Sequence, residues 1–356
     1  MNKYQVGIIG ATGMVGQRFA TLLENHEWFN VVALGASSRS KGKTYKEATN
    51  WVLEQPMPKA FEDIVVLDAT EDAEKIAGMV DFIFCAVDME KKDILALEEK
   101  YAKLECPVVS NNSANRGTPD VPMIIPEINA DHAKVIEAQK KRLGTKKGFV
   151  AVKSNCSIQS YVPALSALEE FGLKNVTVCT YQAISGAGKT FETAPEILDN
   201  IIPFIGGEEE KSEKEPLKVW GKLTETGIEN ATSPQITAQC VRVPVKDGHL
   251  ATVFVKFDTK PTKEQILAKW ANFENTQAHL PSAPDKFLTY FEEENRPQTN
   301  LDRDLYNGMG VSIGRLRFDH VYDYKFISLS HNTLRGAAGG AVLMAELLCD
   351  MGYITN

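Results

Sequence analysis

The run Tyr4-Gln5-Val6-Gly7-Ile8-Ile9 leads at once into Gly10-Ala11-Thr12-Gly13-Met14-Val15-Gly16, and Val15, Phe19, Leu22 and Leu23 continue at helical spacing. A short apolar run bounded in this way reads as a strand of a parallel sheet. Strand, glycine turn and helix in that order leave few folds open. The pattern is a G-x-x-G-x-x-G variant of the fingerprint that opens a doubly wound α/β domain. Gly10 permits the tight turn, Gly13 lets a pyrophosphate approach the backbone, and Gly16 lets the helix pack against the strand. The alternative is a tight βα turn with no ligand.

The second strand candidate is Val31-Val32-Ala33-Leu34-Gly35-Ala36. An NAD site usually ends this strand with a carboxylate for the ribose 2′-hydroxyl. Here it ends in Ser37-Ser38-Arg39-Ser40-Lys41-Gly42-Lys43, which offers hydroxyls and cations to a 2′-phosphate. NADP is therefore favoured over NAD, the alternative being a solvated basic loop. Alternation continues with strands at 64–67, 82–87 and 107–110 and helices near 71–79 and 89–103, as expected for a doubly wound sheet. The stretch Ser110-Asn111-Asn112-Ser113-Ala114-Asn115-Arg116 leaves the carboxyl end of one of these strands, where such sheets bind ligands. Arg116 there reads either as an anion clamp or as part of a turn bonded to its own backbone.

A second centre is Ser154-Asn155-Cys156-Ser157-Ile158-Gln159. A strand over 148–152 feeds it, and Ile158, Tyr161, Val162, Leu165 and Leu168 follow at helical spacing. A thiol at such a helix start is expected to ionise easily and to have N–H groups nearby for an oxyanion. Pro163 either kinks that helix or marks its first turn. Free cysteines are usually small buried hydrophobes. Polar neighbours set Cys156 apart from Cys85, Cys179 and Cys240 in strand-like runs, and from Cys106 and Cys349.

Beyond Cys156 the pattern becomes that of long alternating strands, at 176–183, 238–245, 250–255, 311–318 and 325–330. Ser185-Gly186-Ala187-Gly188-Lys189 is a loop that lets backbone approach a ligand, without the spacing of a phosphate loop. Glu208 and Lys211 fall on one face of a helix entered from Pro203. Lys246-Asp247-Gly248-His249 reads as the turn of a hairpin-like pair, and its histidine is open to a structural or a catalytic reading. His320 and His331 stand out less, and His26, His132 and His279 lack catalytic context. A closing helix after Asn332, with Gly336, Gly339 and Gly340 in its first turns, is expected to return to the nucleotide domain.

The 356 residues suggest two domains, and the 43% hydrophobic and 24% charged content is that of a soluble globular protein. A net charge of −8 argues against general nucleic-acid binding. Scattered cysteines without a CxxC pair fit a reducing compartment and call for no metal. No signal peptide and no membrane-spanning run is read, so a cytoplasmic protein is expected.

These motifs, taken in order with Gln182-Ala183-Ile184-Ser185-Gly186-Ala187-Gly188, Arg242-Val243-Pro244-Val245, Gly248-His249 and Asn332 to Gly340, resemble the aspartate-semialdehyde dehydrogenases of the archaeal and fungal branch over essentially the whole length. The resemblance implies a Rossmann-like NADP-binding domain (1–153 and 331–356) and an α+β catalytic and dimerisation domain (154–330). It implies NADP-dependent reductive dephosphorylation of L-aspartyl-4-phosphate to L-aspartate-4-semialdehyde, on the route to lysine, threonine, methionine and isoleucine. Cys156 would be the nucleophile, His249 its acid/base partner, and Asn155 and Gln182 would assist at the oxyanion and the carbonyl. Arg116 and Lys211, with Asn112 nearby, would take phosphate. Arg242 would take the α-carboxylate and Glu208 the α-ammonium, with Glu209 and Glu210 competing in the same run. Thr12 to Val15 would take the pyrophosphate, Ser37, Ser38, Arg39, Ser40 and Lys43 the 2′-phosphate, and Ser185, Gly186 and Asn332 the nicotinamide side. A homodimer or homotetramer is implied. Within the branch malonyl-CoA reduction is the alternative. N-acetylglutamyl-phosphate reductase is a close cousin that would need no Glu208, and a non-catalytic nucleotide sensor is the alternative from another class.

Overall fold

The computed structural model describes residues 3–356. Seven strands build the first sheet: β1 (Tyr4–Ile9), β2 (Phe29–Ala36), β3 (Leu67–Asp68), β4 (Phe82–Cys85), β5 (Val108–Ser110), β6 (Met123–Ile124) and β7 (Val150–Lys153). Their order is β3-β2-β1-β4-β5-β7-β6 and every pairing is parallel. Strands covered on both faces are apolar at each position, and all four residues of β4 are buried. The chain order reverses between β1 and β4, which opens a crevice at their carboxyl ends.

Four helices matter to the site: α1 (Met14–Leu23), α2 (Lys91–Lys103), α3 (Glu208–Val219) and α4 (Ala338–Asp350). The last of these packs against α1, β5 and β7, and its residues 338–349 are all buried. Fully burying a side chain such as Leu343, Met344, Leu347 or Leu348 contributes about 1.5–3 kcal/mol. At Gly339 a Cβ would lie 2.7 Å from Met309 Sδ, so the helix approaches as closely as its glycines allow.

The second sheet is mixed. It contains β8 (Leu173–Gln182), β11 (Gln235–Arg242), β12 (His249–Phe257), β13 (Leu288–Phe291), β14 (Val311–Phe318) and β15 (Tyr324–Ser330), in the order β11-β8-β12-β15-β14-β13. A two-stranded ribbon, β9 (Lys222–Leu223) and β10 (Ile228–Glu229), lies apart from it. One apolar cluster joins Ile9, Ile83 and Val108 of the first sheet to Val176, Val253 and Phe326 of the second. The sheets are thus held together by a shared core.

Three elements differ from the sequence expectation. The strand at 64–67 shrinks to Leu67–Asp68, and Val65, half exposed, makes only a bridge to Thr44. The helix expected over 158–168 is a 3-10 turn at Ile158–Ser160 and a short helix at Val162–Ser166, with Pro163 in its first turn. Third, β11 and β12 are not a hairpin. Strand β8 lies between them, parallel to β11 and antiparallel to β12. Pro244 supplies no N–H, Val243 N–H donates to Gln182 O (3.0 Å) and Ile184 N–H to Val245 O (2.9 Å). Residues 243–248 therefore cross over the end of β8 instead of turning back beside β11.

Candidate active site

A thiol and an imidazole from two elements are brought together by the crossover. Cys156 lies three residues beyond β7, and His249 is the first residue of β12. Their Sγ and Nε2 atoms are 3.5 Å apart. The N–H of Ala183, just past β8, donates to His249 Nδ1 at 3.0 Å. Burial, then the nearby Arg242, hold the imidazole down to about 3, so it is neutral at physiological pH. A neutral ring that accepts at Nδ1 carries its proton on Nε2, facing the sulfur.

The expectation of an easily ionised thiol at a long helix start is corrected. The helix behind Cys156 is too short for its dipole to dominate. Burial, then the carboxylate of Glu208, push the thiol up to about 11. Lys153, Arg116 and Arg242 act in the opposite direction.

Helix α3 organises the turn that carries Cys156. Glu208, Ser212, Glu215 and Lys218 lie buried on its inward face, at helical spacing. Glu208 accepts from Asn155 Nδ2 (3.0 and 3.1 Å), Gln182 Nε2 (3.2 Å) and Lys211 Nζ (2.8 Å). Its carboxyl is held below the usual range despite burial, Lys211 being the largest stabilising partner. Glu215 accepts from Arg116 Nη1 at 3.0 Å and from the Asn155 N–H at 2.5 Å. Lys218 Nζ donates to the carbonyls of Arg116, Thr118 and Val121. Of the acids in this run, Glu209 reaches instead to β11, through Gln239 and the Cys240 N–H, and Glu210 is exposed beside Lys214. Only Glu208 faces the thiol.

Several sequence candidates are already engaged. Arg116 also donates from Nε to Lys153 O and from Nη2 to Asn111 O, which leaves two of its five N–H bonds for an anion. Asn112 turns its amide to the buried Glu98 at 3.0 Å, and Glu98 also takes Ser110 and Asn115. Asn155 has its side-chain amide on Glu208 and its N–H on Glu215. The Cys156 N–H has no acceptor among the described residues, so it is the backbone donor free for an oxyanion. Arg242 Nη1 donates to Ala183 O at 2.8 Å, and no carboxylate pairs with this guanidinium among the described residues.

Gly186 lies against this cluster: a Cβ there would stand 3.0 Å from Arg242 Nη1 and from His249 Nε2. Asn332 fastens two loops beside it, accepting from the Gly248 N–H and donating to Ser185 Oγ, each at 2.8 Å. His331 caps the Thr333 and Leu334 N–H groups, and His320 is exposed, so neither faces Cys156.

The dinucleotide crevice fits its expected occupant. At the start of α1 the Met14, Val15 and Gly16 N–H groups have no acceptor among the described residues, and Gly13 caps the helix with no side-chain bond. A Cβ at Gly10 or Gly16 would come within 2.2 Å of a backbone oxygen, which is what lets the turn fold so tightly. Past β2, Ser37, Ser38, Arg39 and Lys43 are exposed, and Ser40 is buried. Lys41 is held by Glu71 and Asp72, whereas Arg39 and Lys43 have no ion-pair partner among the described residues.

Sequence reasoning missed Glu215, Lys218, Glu98 and Lys153. The spacing of 208, 212, 215 and 218 was a usable signal, but an acid- and lysine-rich helix reads as solvated. Lys153, ending an otherwise apolar strand next to the nucleophile turn, was the clearer one.

A parallel dinucleotide-type sheet joined to a mixed sheet, with a cysteine just past the first facing a histidine of the second, defines a nicotinamide-dependent dehydrogenase. Two family models match: the NAD binding domain of semialdehyde dehydrogenase over residues 5–136, and its dimerisation domain over 165–335. The chain is 41% identical to the aspartate-semialdehyde dehydrogenase of Archaeoglobus fulgidus, covering 97% of this chain and 98% of the relative. It is 42% identical to that of Schizosaccharomyces pombe, covering 98% and 99%. The crystal structure of the Candida albicans aspartate-semialdehyde dehydrogenase with NADP matches with a TM-score of 0.90 at 37% identity, covering 99% of this chain and all of that one. This chain belongs to the aspartate-semialdehyde dehydrogenase family.

Proposed function

We propose that the protein catalyses the NADP-dependent reductive dephosphorylation of L-aspartyl-4-phosphate to L-aspartate-4-semialdehyde, and the phosphate-requiring reverse reaction. This places it in the aspartate pathway to lysine (through diaminopimelate), threonine, methionine and isoleucine. The observation that carries the reading is the Cys156–His249 contact, in a chain whose first sheet opens on a glycine-rich dinucleotide turn.

In this reading the sulfur of Cys156 bonds to the acyl carbon as the carbon–oxygen bond to phosphate breaks, the thiol proton passing to the departing phosphate oxygen, and a thioester is left. Arg116 and Lys211 hold the departing phosphate with charge-assisted bonds. The Cys156 N–H and Gln182 stand by the carbonyl oxygen, with Asn155 bracing the turn from Glu208. The reduced nicotinamide, when bound, supplies hydride to the acyl carbon. His249 would give its Nε2 proton to the oxygen, making a hydroxyl, take that proton back as the carbon–sulfur bond breaks to the aldehyde, and pass it to the departing sulfur. Arg242 and Glu208 take the carboxylate and ammonium of the substrate. Thr12 to Val15 hold the pyrophosphate, with Ser37, Ser38, Arg39, Ser40 and Lys43 at the 2′-phosphate and Ser185, Gly186 and Asn332 at the nicotinamide end.

Residues 1–153 and 331–356 form the cofactor domain and 154–330 the catalytic and assembly domain; the packing of α4 on α1 supports this division. The first two residues lie outside those described. A homodimer or homotetramer assembles through the outer face of the second sheet, where Tyr181, Leu250 and Phe254 are half buried in the single chain. No helix among the described residues is long and apolar enough to cross a membrane, and the protein works in the cytoplasm.

The test is the reverse reaction: aspartate semialdehyde, phosphate and NADP or NAD, followed by nicotinamide absorbance, with Cys156→Ala as control. Phosphate-dependent NADPH formation that disappears in the variant is expected. A folded wild-type protein that does not turn over would overturn the assignment.

A further inference from the structure

Gln159 closes the polar run around Cys156, and the reaction proposed above gives it no part. Its side chain is buried, as are those of Ser154 and Arg335. Gln159 Nε2 donates to Ser154 Oγ at 2.7 Å, and Arg335 Nε donates to Gln159 Oε1 at 3.2 Å. A guanidinium has donors only, so the amide oxygen must face Arg335 and the amide nitrogen must face Ser154. Arg335, between β15 and α4, is itself held on two sides. Its Nη1 donates to Glu127 Oε1 at 2.8 Å and its Nη2 to Glu127 Oε2. Its Cζ lies over the Phe287 ring, 4.6 Å from the centroid.

The bond from Gln159 to Ser154 joins side chains five residues apart and closes a loop around Asn155, Cys156, Ser157 and Ile158. Asn155 is held from the other direction. Glu208 and Glu215 of α3 take its amide and its N–H, and its Oδ1 accepts from the Ser157 N–H and Oγ, both at 2.7 Å. Asn155 thus has α3 behind it, and Ser154 has Gln159. The segment after Cys156 cannot hold the turn alone, because Ile158–Ser160 is a single 3-10 turn. Burying an amide, a hydroxyl and a guanidinium costs free energy unless each is bonded, and once bonded they favour one arrangement.

We propose that Gln159 is a positioning residue for Cys156: anchored on Arg335, it clasps the turn that aims the sulfur at the substrate carbon. The proposal rests on the reaction assigned above for calling Cys156 the nucleophile. The clasp also ties the turn to the stretch where Asn332 accepts from the Gly248 N–H and donates to Ser185 Oγ. The thiol and the proposed nicotinamide end are then set from one piece of chain, residues 332–335.

The experiment compares wild type, Gln159→Met, Ser154→Ala, the double variant and Arg335→Lys, which keeps a charge for Glu127 but loses the fork that also reaches Gln159. Thermal melts and gel filtration establish folding. Two quantities are read: kcat and KM in the reverse reaction, and the rate of Cys156 alkylation by iodoacetamide at pH 8, followed by peptide mass spectrometry. Each single variant is expected to lower kcat by about 10- to 100-fold, the effect of a small misplacement of a reacting atom, with KM for phosphate and NADP unchanged. The double variant should be no worse than Gln159→Met, because both changes remove the same bond. Alkylation should rise in the same variants, since burial is the main cause that keeps this thiol protonated and a loosened turn admits water. Ser154→Ala removes one oxygen and decides the matter should Gln159→Met not fold. Wild-type kcat in folded Gln159→Met or Arg335→Lys overturns the proposal, as do losses that add in the double variant, or kcat and alkylation falling together. If wild type does not turn over while alkylation rises in Gln159→Met and Ser154→Ala, the reaction assignment fails and the clasp stands.

Discussion

The N–H of Ala183 donates to Nδ1 of His249, and this one backbone bond at 3.0 Å decides which imidazole nitrogen faces Cys156. With Nδ1 occupied as an acceptor, the neutral ring can only offer a proton from Nε2. In this tautomer His249 presents a donor, and not a lone pair, to the sulfur. The bond exists because β12 begins where β8 ends, a consequence of the crossover at Pro244.

The gap that Gly186 leaves beside His249 and Arg242 gives a first prediction. Gly186→Ala would put a methyl group 3.0 Å from His249 Nε2 and Arg242 Nη1. Displacing two such groups by a fraction of an ångström should lower kcat/KM by about 10- to 100-fold. The melting temperature should change little, because the loop is exposed there. Steady-state kinetics with matched thermal melts check this; unchanged kinetics would mean the side chains yield freely.

Glu215 joins Arg116 to the turn that carries Cys156, and its removal strands both. Glu215→Ala leaves Arg116 buried without its carboxylate and should cost about 3–5 kcal/mol of stability. Arg116→Ala and the double variant complete a cycle, in which a coupling of about 1 kcal/mol or more is expected for groups in direct contact. Denaturant melts of the four proteins measure it, and additive effects would show that the pair is not energetically coupled.

Acid stability follows from the buried histidines. Burial, with Arg242, holds His249 down to about 3, and burial, with Arg18, holds His331 down to about 4. Between those values and 6.5 the unfolded chain binds protons that the folded chain does not. Stability therefore rises with pH through this window and is lost as pH falls below 6.5. Each such proton contributes a slope of about 1.4 kcal/mol per pH unit. His249→Asn, which can still accept from Ala183, should reduce the slope near pH 5 by about that amount. Urea melts at pH 4.5, 5.0 and 5.5 decide it, and an unaltered slope would mean that the ring titrates within the fold.

The proposed 2′-phosphate site is tested at Arg39, exposed past β2 and without an ion-pair partner among the described residues. Arg39→Ala should raise KM for NADP by about 10- to 100-fold, the worth of one charge-assisted hydrogen bond. KM for NAD should stay where it is. Equal effects on both would assign Arg39 to the adenine or ribose that the two cofactors share.

The sequence alone determined the local chemistry. Gly10 and Gly16 after a buried strand specify the tight turn, because a Cβ at either would run into a backbone oxygen. The polar company of Cys156 picks out one thiol of six. The closing helix follows from its apolar sequence and glycine-rich first turns. Tertiary structure decided what sits opposite each group. A hairpin was legible at 238–255, but hydrogen bonding across Pro244 puts β8 between its strands and carries His249 to Cys156. The helical spacing of 158–168 was real as an apolar stripe, yet Pro163 and the packing around it break the helix, so no long dipole supports the thiol. Glu208 could not be told from Glu209 and Glu210 until α3 had a buried side. Sequence fixes a residue's chemistry and periodicity; burial and counter-charge depend on which distant segments pack around it, and those set whether Cys156, Lys153 and His249 carry charge.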